Sequence, residues 1–187
     1  MTKLFLCILL TISSLSVSQN TRKEAAKNEY LLAENYYREG AYEKATQLFK
    51  KLYDASPFNS NYLGRLISCY QETDQFLIAE NLLKNKIKAN HSQVYLYVYL
   101  GYNFERQLKN EKAQENYEFA LNSLEKKATY GGIIGGLFKE YNLLDHAILA
   151  YEKTMKLQKS ANYNFKIAQI YGEKGNFKKC SNLILIW

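Results

Sequence analysis

The chain has 187 residues, a hydrophobic fraction of 47% and a charged fraction of 23%, which are the proportions of an ordinary folded protein and exclude wholesale disorder. One proline and nine glycines leave little material for flexible linkers or a β-rich fold, so the composition favours helices. The formal net charge of +7 suits acidic envelope surfaces or acidic partner proteins, but solvated helix faces with more lysine than glutamate would produce it too.

The N-terminal residues differ from the rest of the chain. Lys3 is followed by a largely apolar run over residues 4–12 and then by small polar residues, with the small-x-small pattern of a cleavage site at residues 16–18. These features predict a cleaved secretory signal peptide over residues 1–18, followed by a short lead-in over residues 19–25. A short buried helix is the alternative, because the apolar run is far shorter than the roughly 20 residues of a membrane span. Export argues against nucleic acid as a partner and limits membrane contact to a peripheral one.

The rest of the chain repeats itself with a period of 34 residues. A packing alanine recurs at this spacing, an aromatic residue precedes it by nine positions, and a bulky residue follows it by four. The alanines are Ala45, Ala79, Ala113 and Ala147, with Cys180 in the fifth unit. The aromatic column is Tyr36, Tyr70, Phe104, Phe138 and Tyr171, and the bulky column is Phe49, Leu83, Tyr117, Tyr151 and Ile184. A further column of small or apolar residues consists of Ala33, Ile67, Gly101, Gly135 and Ala168.

Each unit is predicted to be a helical hairpin. Apolar residues recur at i, i+3, i+4 and i+7, which is helical spacing; in the first unit one such stripe ends at Gly40 and a second ends before Pro57. Glycine and proline at these places are helix stop signals. Because neither helix can bury its stripe alone, neighbouring hairpins must stack into a solenoid. The predicted repeats cover about residues 26–59, 60–93, 94–127, 128–160 and 161–187, the last incomplete.

These residues resemble the tetratricopeptide repeat (TPR). The first unit matches its signature at Leu32-Ala33, Tyr36, Gly40-Ala41-Tyr42, Ala45, Phe49 and Pro57, and the third at Tyr97, Leu100-Gly101, Phe104, Ala113, Tyr117 and Ala120. The resemblance covers residues 26–187 and implies an all-α superhelical solenoid of about five repeats. Asp74, Leu108 and Asn142 stand where the family has glycine between the two helices, which leaves the geometry of those three turns open.

In TPR solenoids the first helices of the repeats line a concave groove that binds a partner peptide or helix. The resemblance implies that the groove of this chain is lined by Tyr30, Tyr37, Arg38, Asn61, Gln71, Tyr95, Tyr102, Arg106, Lys139, Phe165 and Gln169. Tyrosine and arginine often carry interface hot spots, so the predicted anchors are Tyr37, Tyr95, Tyr102 and Arg106. The alternative is that a chain with 17 tyrosines places them everywhere.

The stretch YGGIIGGLFKEY, residues 130–141, holds four of the nine glycines. A phosphate-binding loop needs a lysine directly after its second conserved glycine, and Lys139 comes too late. A membrane GxxxG face needs a longer apolar segment. Gly135 belongs to the small-residue column, so close helix packing is the predicted role. The helical glycines further predict that this helix is the least stable of the array, or that a partner approaches its bare backbone.

The sequence contains no constellation typical of a catalytic site. The only histidines, His91 and His146, have no cysteine, serine or paired carboxylate arranged around them for acid–base or nucleophilic work. Cys69 and Cys180 have no metal-ligand spacing and are predicted to be small core residues. The sequence therefore predicts no enzyme activity, no metal and no cofactor.

The last stretch, residues 181–187, is nearly continuously apolar, whereas solenoids end on a polar capping helix. This end could dock onto a partner, or the sequence could be the N-terminal piece of a longer polypeptide. The predicted function is a non-enzymatic protein-interaction scaffold of a bacterial periplasm or cell envelope, the bacterial assignment resting on the form of the signal peptide and on the habit of the family. The alternative is a sensory or positioning module of a longer signalling receptor or enzyme.

Overall fold

The computed structural model describes residues 21–159 and 162–184. The predicted signal peptide and the end of the apolar C-terminal stretch lie outside these residues. Helix α1 includes residues 21–38, so the predicted lead-in is already helical from residue 21. The helices that follow are α2 (Tyr42–Ala55), α3 (Ser60–Glu72), α4 (Phe76–Ala89), α5 (Leu96–Glu105), α6 (Asn110–Lys127), α7 (Gly131–Glu140), α8 (Leu144–Leu157), α9 (Asn164–Glu173) and α10 (Phe177–Ile184). A short 3-10 turn, Ala128–Tyr130, precedes α7.

The described residues form two compact units, one ending at Gln75 and the other beginning at Phe76. In the first unit α2 packs on α3, and the rings of Tyr30 on α1 and Phe49 on α2 meet edge to face at 5.8 Å. In the second unit α4 packs on α5, and the hairpins α5–α6, α7–α8 and α9–α10 follow one another, with α5 against α7, α6 against α8 and α8 against α9. The predicted all-α fold of solenoid type, built from helix–turn–helix repeats, is confirmed.

The repeat columns form the core of the units. The four packing alanines are buried, as are the column residues Ile67, Gly101, Gly135 and Ala168 on the first helices of their hairpins. Buried apolar area of this kind stabilises a fold by about 25 cal/mol per Å². Leu32, which precedes Ala33 of the small-residue column, remains 44% exposed, because α1 is the first described helix.

The turns that follow α1, α3, α5, α7 and α9 share one backbone conformation. The residue in the left-handed region is glycine in two turns and a larger residue in three: Gly40 (φ +76°), Asp74 (φ +56°), Leu108 (φ +60°), Asn142 (φ +59°) and Gly175 (φ +71°). The next residue donates its N–H to the carbonyl of the aromatic column, five positions back, at 2.8 to 3.0 Å. This is the six-to-one bond of a Schellman turn. The three turns that lack glycine therefore have the same conformation as the two turns that contain it.

The glycines of α7 lie where other side chains of the second unit come close to the backbone. A Cβ on Gly135 would lie 2.5 Å from Cε1 of Tyr151 on α8, and one on Gly132 would lie 2.7 Å from the hydroxyl of Tyr163. Gly131 has no room for a Cβ beside Thr154. The prediction of close packing is confirmed for these three glycines. A Cβ on Gly136 would meet only the Tyr151 hydroxyl at 4.0 Å, so one side of this position is open.

Candidate functional site

A half-buried polar cluster joins α1 to α3 in the first unit. Arg65 Nε donates to Glu34 Oε1 at 2.6 Å, and the guanidinium lies 5.3 Å from the centroid of the Tyr37 ring. The ring of Tyr30 lies 5.7 Å from that of Tyr62. Burial, followed by the hydrogen bond with Glu34, raises the pKa of Tyr30. The charged groups of Arg65 and Glu34 are paired with each other, so the first role of this cluster is to hold α1 against α3.

The groove residues predicted in the first unit differ in accessibility. Arg38 and Asn61 are exposed, and Tyr30 and Tyr37 are half-buried. Gln71, however, is 0% exposed. A fully buried side chain offers no surface to a partner, so the prediction that Gln71 contacts one is wrong, and Gln71 is a core residue.

Tyr102 and Arg106 belong to an aromatic cluster within the second unit. The Tyr102 ring stacks on the ring of Tyr141, which follows α7, with centroids 3.8 Å apart and an interplanar angle of 7°. The Arg106 guanidinium lies 5.9 Å from the centroid of the Tyr102 ring and 5.8 Å from that of Phe76. Both predicted anchors are half-buried. One face of Tyr102 is therefore covered by its own chain, and the role of these residues in partner binding stays a prediction.

Tyr95 is buried rather than accessible. It immediately precedes α5, and the turn before α7 brings Tyr130 to 5.6 Å from its ring. Only 6% of Tyr95 is exposed, and burial, with a further contribution from Tyr130, raises the pKa of Tyr95. The prediction that Tyr95 anchors a partner is wrong, because the following repeat covers it.

An accessible surface remains where an ion pair joins α7 to α9. Lys139 Nζ on α7 pairs with Glu173 Oε1 on α9 at 2.9 Å. On α9, Phe165 is 62% exposed, and Gln169, four residues later on the same helical face, is exposed as well. Gly136 adds the open backbone position of α7. These five residues are called the α7–α9 face.

Two residues of the α7–α9 face were not among the predicted groove residues. Glu173 was missed because its ion pair joins helices of different repeats, and no sequence column indicates such a pair. Gly136 could be predicted from the sequence, because the glycine-rich helix indicated a backbone that a partner could approach. Lys139, Phe165 and Gln169 were predicted, and all three lie on this face.

The histidines and cysteines occupy ordinary packing or turn positions. The His146 ring lies 5.2 Å from the Phe138 ring and 5.5 Å from the Tyr117 ring, and His91 is exposed between α4 and α5. The thiols of Cys69 and Cys180 are free. Burial raises the pKa of the Cys69 thiol to about 12, which keeps it protonated and unreactive at neutral pH.

Residues 21–159 and 162–184 contain no candidate metal site and no candidate membrane span. Among these residues, no group of three or more histidine, cysteine, aspartate or glutamate side chains could hold a metal ion. No described helix combines the length and apolar character that crossing a bilayer requires.

Comparison with known proteins finds similar solved structures at low sequence identity. No protein-family model and no curated protein matches the sequence. Among solved structures, the TPR protein TTC0263 of Thermus thermophilus is 16% identical over 84% of this chain and 87% of that one, with a TM-score of 0.49. MamA is 20% identical over 86% and 88%, with a TM-score of 0.45. PilF of Pseudomonas aeruginosa is 14% identical over 87% and 75%, with a TM-score of 0.45.

The repeats of the chain itself define the type of fold. Most residues of the 34-residue columns are buried, and each of the five described turns has one residue in the left-handed region and the same hydrogen bond. The chain has a fold of the tetratricopeptide-repeat type.

Proposed function

We propose that this chain is a non-enzymatic protein-interaction scaffold of a bacterial periplasm or cell envelope, and that the α7–α9 face takes up a segment of a partner protein. The proposal rests on the TPR-type fold and on one observation above the others. That observation is an exposed aromatic side chain, Phe165, on α9, a helix that the Lys139–Glu173 ion pair joins to α7, where Gly136 leaves an open backbone position.

The α7–α9 face combines the features that a docked segment needs. Covering Phe165 would contribute about 1.5–3 kcal/mol of binding free energy from buried apolar area. At Gly136 the absence of a side chain lets the main chain of a partner approach to van der Waals distance. Gln169 and the Lys139–Glu173 pair supply the polar rim that surrounds an apolar centre in protein interfaces. The expected partner is thus a peptide or helix with an apolar residue flanked by polar ones.

The proposed location is supported by the sequence of residues 1–18. Export with cleavage predicts that the mature chain begins near residue 19 and is found in the periplasmic or envelope fraction. Mass spectrometry of the protein purified from that fraction tests this. An uncleaved N-terminus in a chain that stays in the cytoplasm would contradict the location and leave the binding proposal standing.

Site-specific photo-cross-linking in cells tests the binding proposal. The cross-linker replaces Gln169 on α9 in one variant and Glu118, an exposed residue of α6, in the control. We expect a discrete adduct from position 169 alone, and its loss when Phe165→Ala is added. The same adducts from both positions, or none from position 169, would contradict the assignment of the α7–α9 face.

A further inference from the structure

Leu108 is an unusual residue for the place it occupies. It lies in the left-handed region between α5 and α6, where Asn142 and Gly175 stand in the two following hairpins. A leucine is strained in this conformation, whereas glycine and asparagine adopt it readily. Its side chain is also 85% exposed and gains little from burial. Folding alone therefore gives no reason for an apolar residue at this turn.

A second exposed apolar residue lies at another hairpin turn of the same unit. Phe177, the first residue of α10, is 73% exposed. The turns that carry Leu108 and Phe177 are connected through the α7–α8 turn between them. The stacked pair Tyr102–Tyr141 joins the end of α5 to the end of α7, and Lys174 at the end of α9 donates to Asp145 at the start of α8. The three turns α5–α6, α7–α8 and α9–α10 are called the turn edge.

Lysines follow both apolar residues of the turn edge in the sequence. Lys109 and Lys112 follow Leu108, and Lys178 and Lys179 follow Phe177; all four side chains are exposed. The long stems of such lysines cover apolar surface while their ammonium groups stay in water.

Several of the nearby acidic groups have internal partners. Glu105 accepts a hydrogen bond from the Tyr117 hydroxyl at 2.8 Å, Glu173 pairs with Lys139, and Asp145 pairs with Lys174. Glu111 is exposed beside Leu108, but the lysines outnumber it. The outward charge next to Leu108 and Phe177 is consequently positive.

We propose that the turn edge makes peripheral contact with an anionic lipid surface, with Leu108 and Phe177 entering the interfacial region and the four lysines facing the headgroups. Apolar and aromatic side chains combined with lysines bind such interfaces, and each lysine near an anionic surface strengthens the attraction. A bilayer can accept two protruding side chains from separate turns at once, whereas a protein partner would need two matched pockets. This contact does not depend on the α7–α9 face.

Vesicle binding by the full 187-residue chain tests the proposal. The probes are vesicles of mixed phosphatidylglycerol and phosphatidylcholine, and vesicles of phosphatidylcholine alone. The test variant carries Leu108→Asn and Phe177→Asn, which remove both apolar side chains and keep every charge. The control carries Leu149→Asn and Leu157→Asn, two exposed leucines of α8 outside the hairpin turns. Circular dichroism before binding confirms that each variant is folded.

The expected result is binding of the wild-type chain to the anionic vesicles that weakens with added salt. The test variant should bind at least about tenfold more weakly, since two apolar side chains no longer leave water, and the control should bind like the wild type. Equal binding by wild type and test variant would overturn the proposal and assign any binding to other residues, such as the apolar N-terminus. The proposal would also be overturned if the wild type does not bind the vesicles but is retained on immobilised poly-glutamate, and the test variant is not retained. That result would indicate an acidic protein partner.

Discussion

Gly135 on α7 lies directly against the ring of Tyr151 on α8, so that an added Cβ would come within 2.5 Å of Cε1 and 2.7 Å of Cδ1 and Cζ. Both residues belong to buried repeat columns, and the Tyr151 ring is also stacked at 4.8 Å on Tyr163. The tyrosine therefore has little freedom to move aside. We expect Gly135→Ala to lower the free energy of unfolding by about 1–3 kcal/mol, the usual penalty for overpacking, as measured by urea denaturation.

The neighbouring Gly136 provides the matched control. Its Cβ position is open, and an alanine in a helix is more stable than a glycine by about 0.5–1 kcal/mol. Gly136→Ala should therefore raise the free energy of unfolding and, if the α7–α9 face binds a partner main chain, weaken that binding. Two changes of the same sign would contradict the packing that distinguishes these glycines.

Leu108 predicts a stabilising substitution. A left-handed leucine costs about 1–2 kcal/mol, and asparagine tolerates the conformation better. Leu108→Asn should raise the free energy of unfolding by about 1 kcal/mol, visible as a higher denaturant midpoint with an unchanged slope. The reciprocal change Asn142→Leu, at the equivalent turn, should lower it by a similar amount. Destabilisation by Leu108→Asn would show that the leucine makes a contact that compensates its strain.

These turns also mark what the sequence could not predict. The hairpin and its columns were predictable, because helical periodicity and a 34-residue repeat are properties of the sequence itself. The left-handed turn at Asp74, Leu108 and Asn142 was left open, since local preference alone would place glycine there. In the structure the hairpin imposes the turn, because the six-to-one hydrogen bond to the aromatic column closes only in that conformation.

The sequence predicted which helix faces could form the binding surface, but not which residues on those faces are accessible. A column position tells which face of a helix a residue occupies, but not how far the neighbouring elements cover that face. Gln71 and Tyr95 were expected on an accessible face and are buried. The Tyr102–Tyr141 stack joins two repeats, and a pairing between repeats depends on how closely the hairpins approach each other.

Helix α7 should be less protected against hydrogen exchange than α5. Both helices have ten residues and are the first helices of hairpins in the same unit, which makes the comparison fair. Four glycines in α7 each weaken it by about 0.8–1 kcal/mol relative to alanine. Amides of residues 131–140 should exchange faster than those of 96–105 in native-state exchange measured by NMR. Equal protection would mean that the packing of Gly131, Gly132 and Gly135 compensates their lower helix propensity in full.

The two described cysteines should differ sharply in reactivity. Cys69 is fully buried, and burial raises its thiol pKa to about 12, so attack by Ellman's reagent at pH 8 requires opening of the protein. Cys180 is partly exposed and should react faster. The measurement compares a chain with Cys7→Ser and Cys180→Ser, which reports Cys69, with a chain carrying Cys7→Ser and Cys69→Ala. Similar rates under native conditions would contradict the burial of Cys69.

The same thiol predicts a loss of stability in alkali. A pKa raised on folding means that the native state holds the proton more tightly than the unfolded chain does. The resulting stabilisation is present below the unfolded pKa near 9.0 and is lost as the pH rises towards about 12. Urea denaturation at a series of pH values should therefore show a shallower alkaline decline for Cys69→Ala than for the wild type. Parallel declines would assign alkaline instability to other groups, such as the buried Tyr117, whose pKa is also raised by burial.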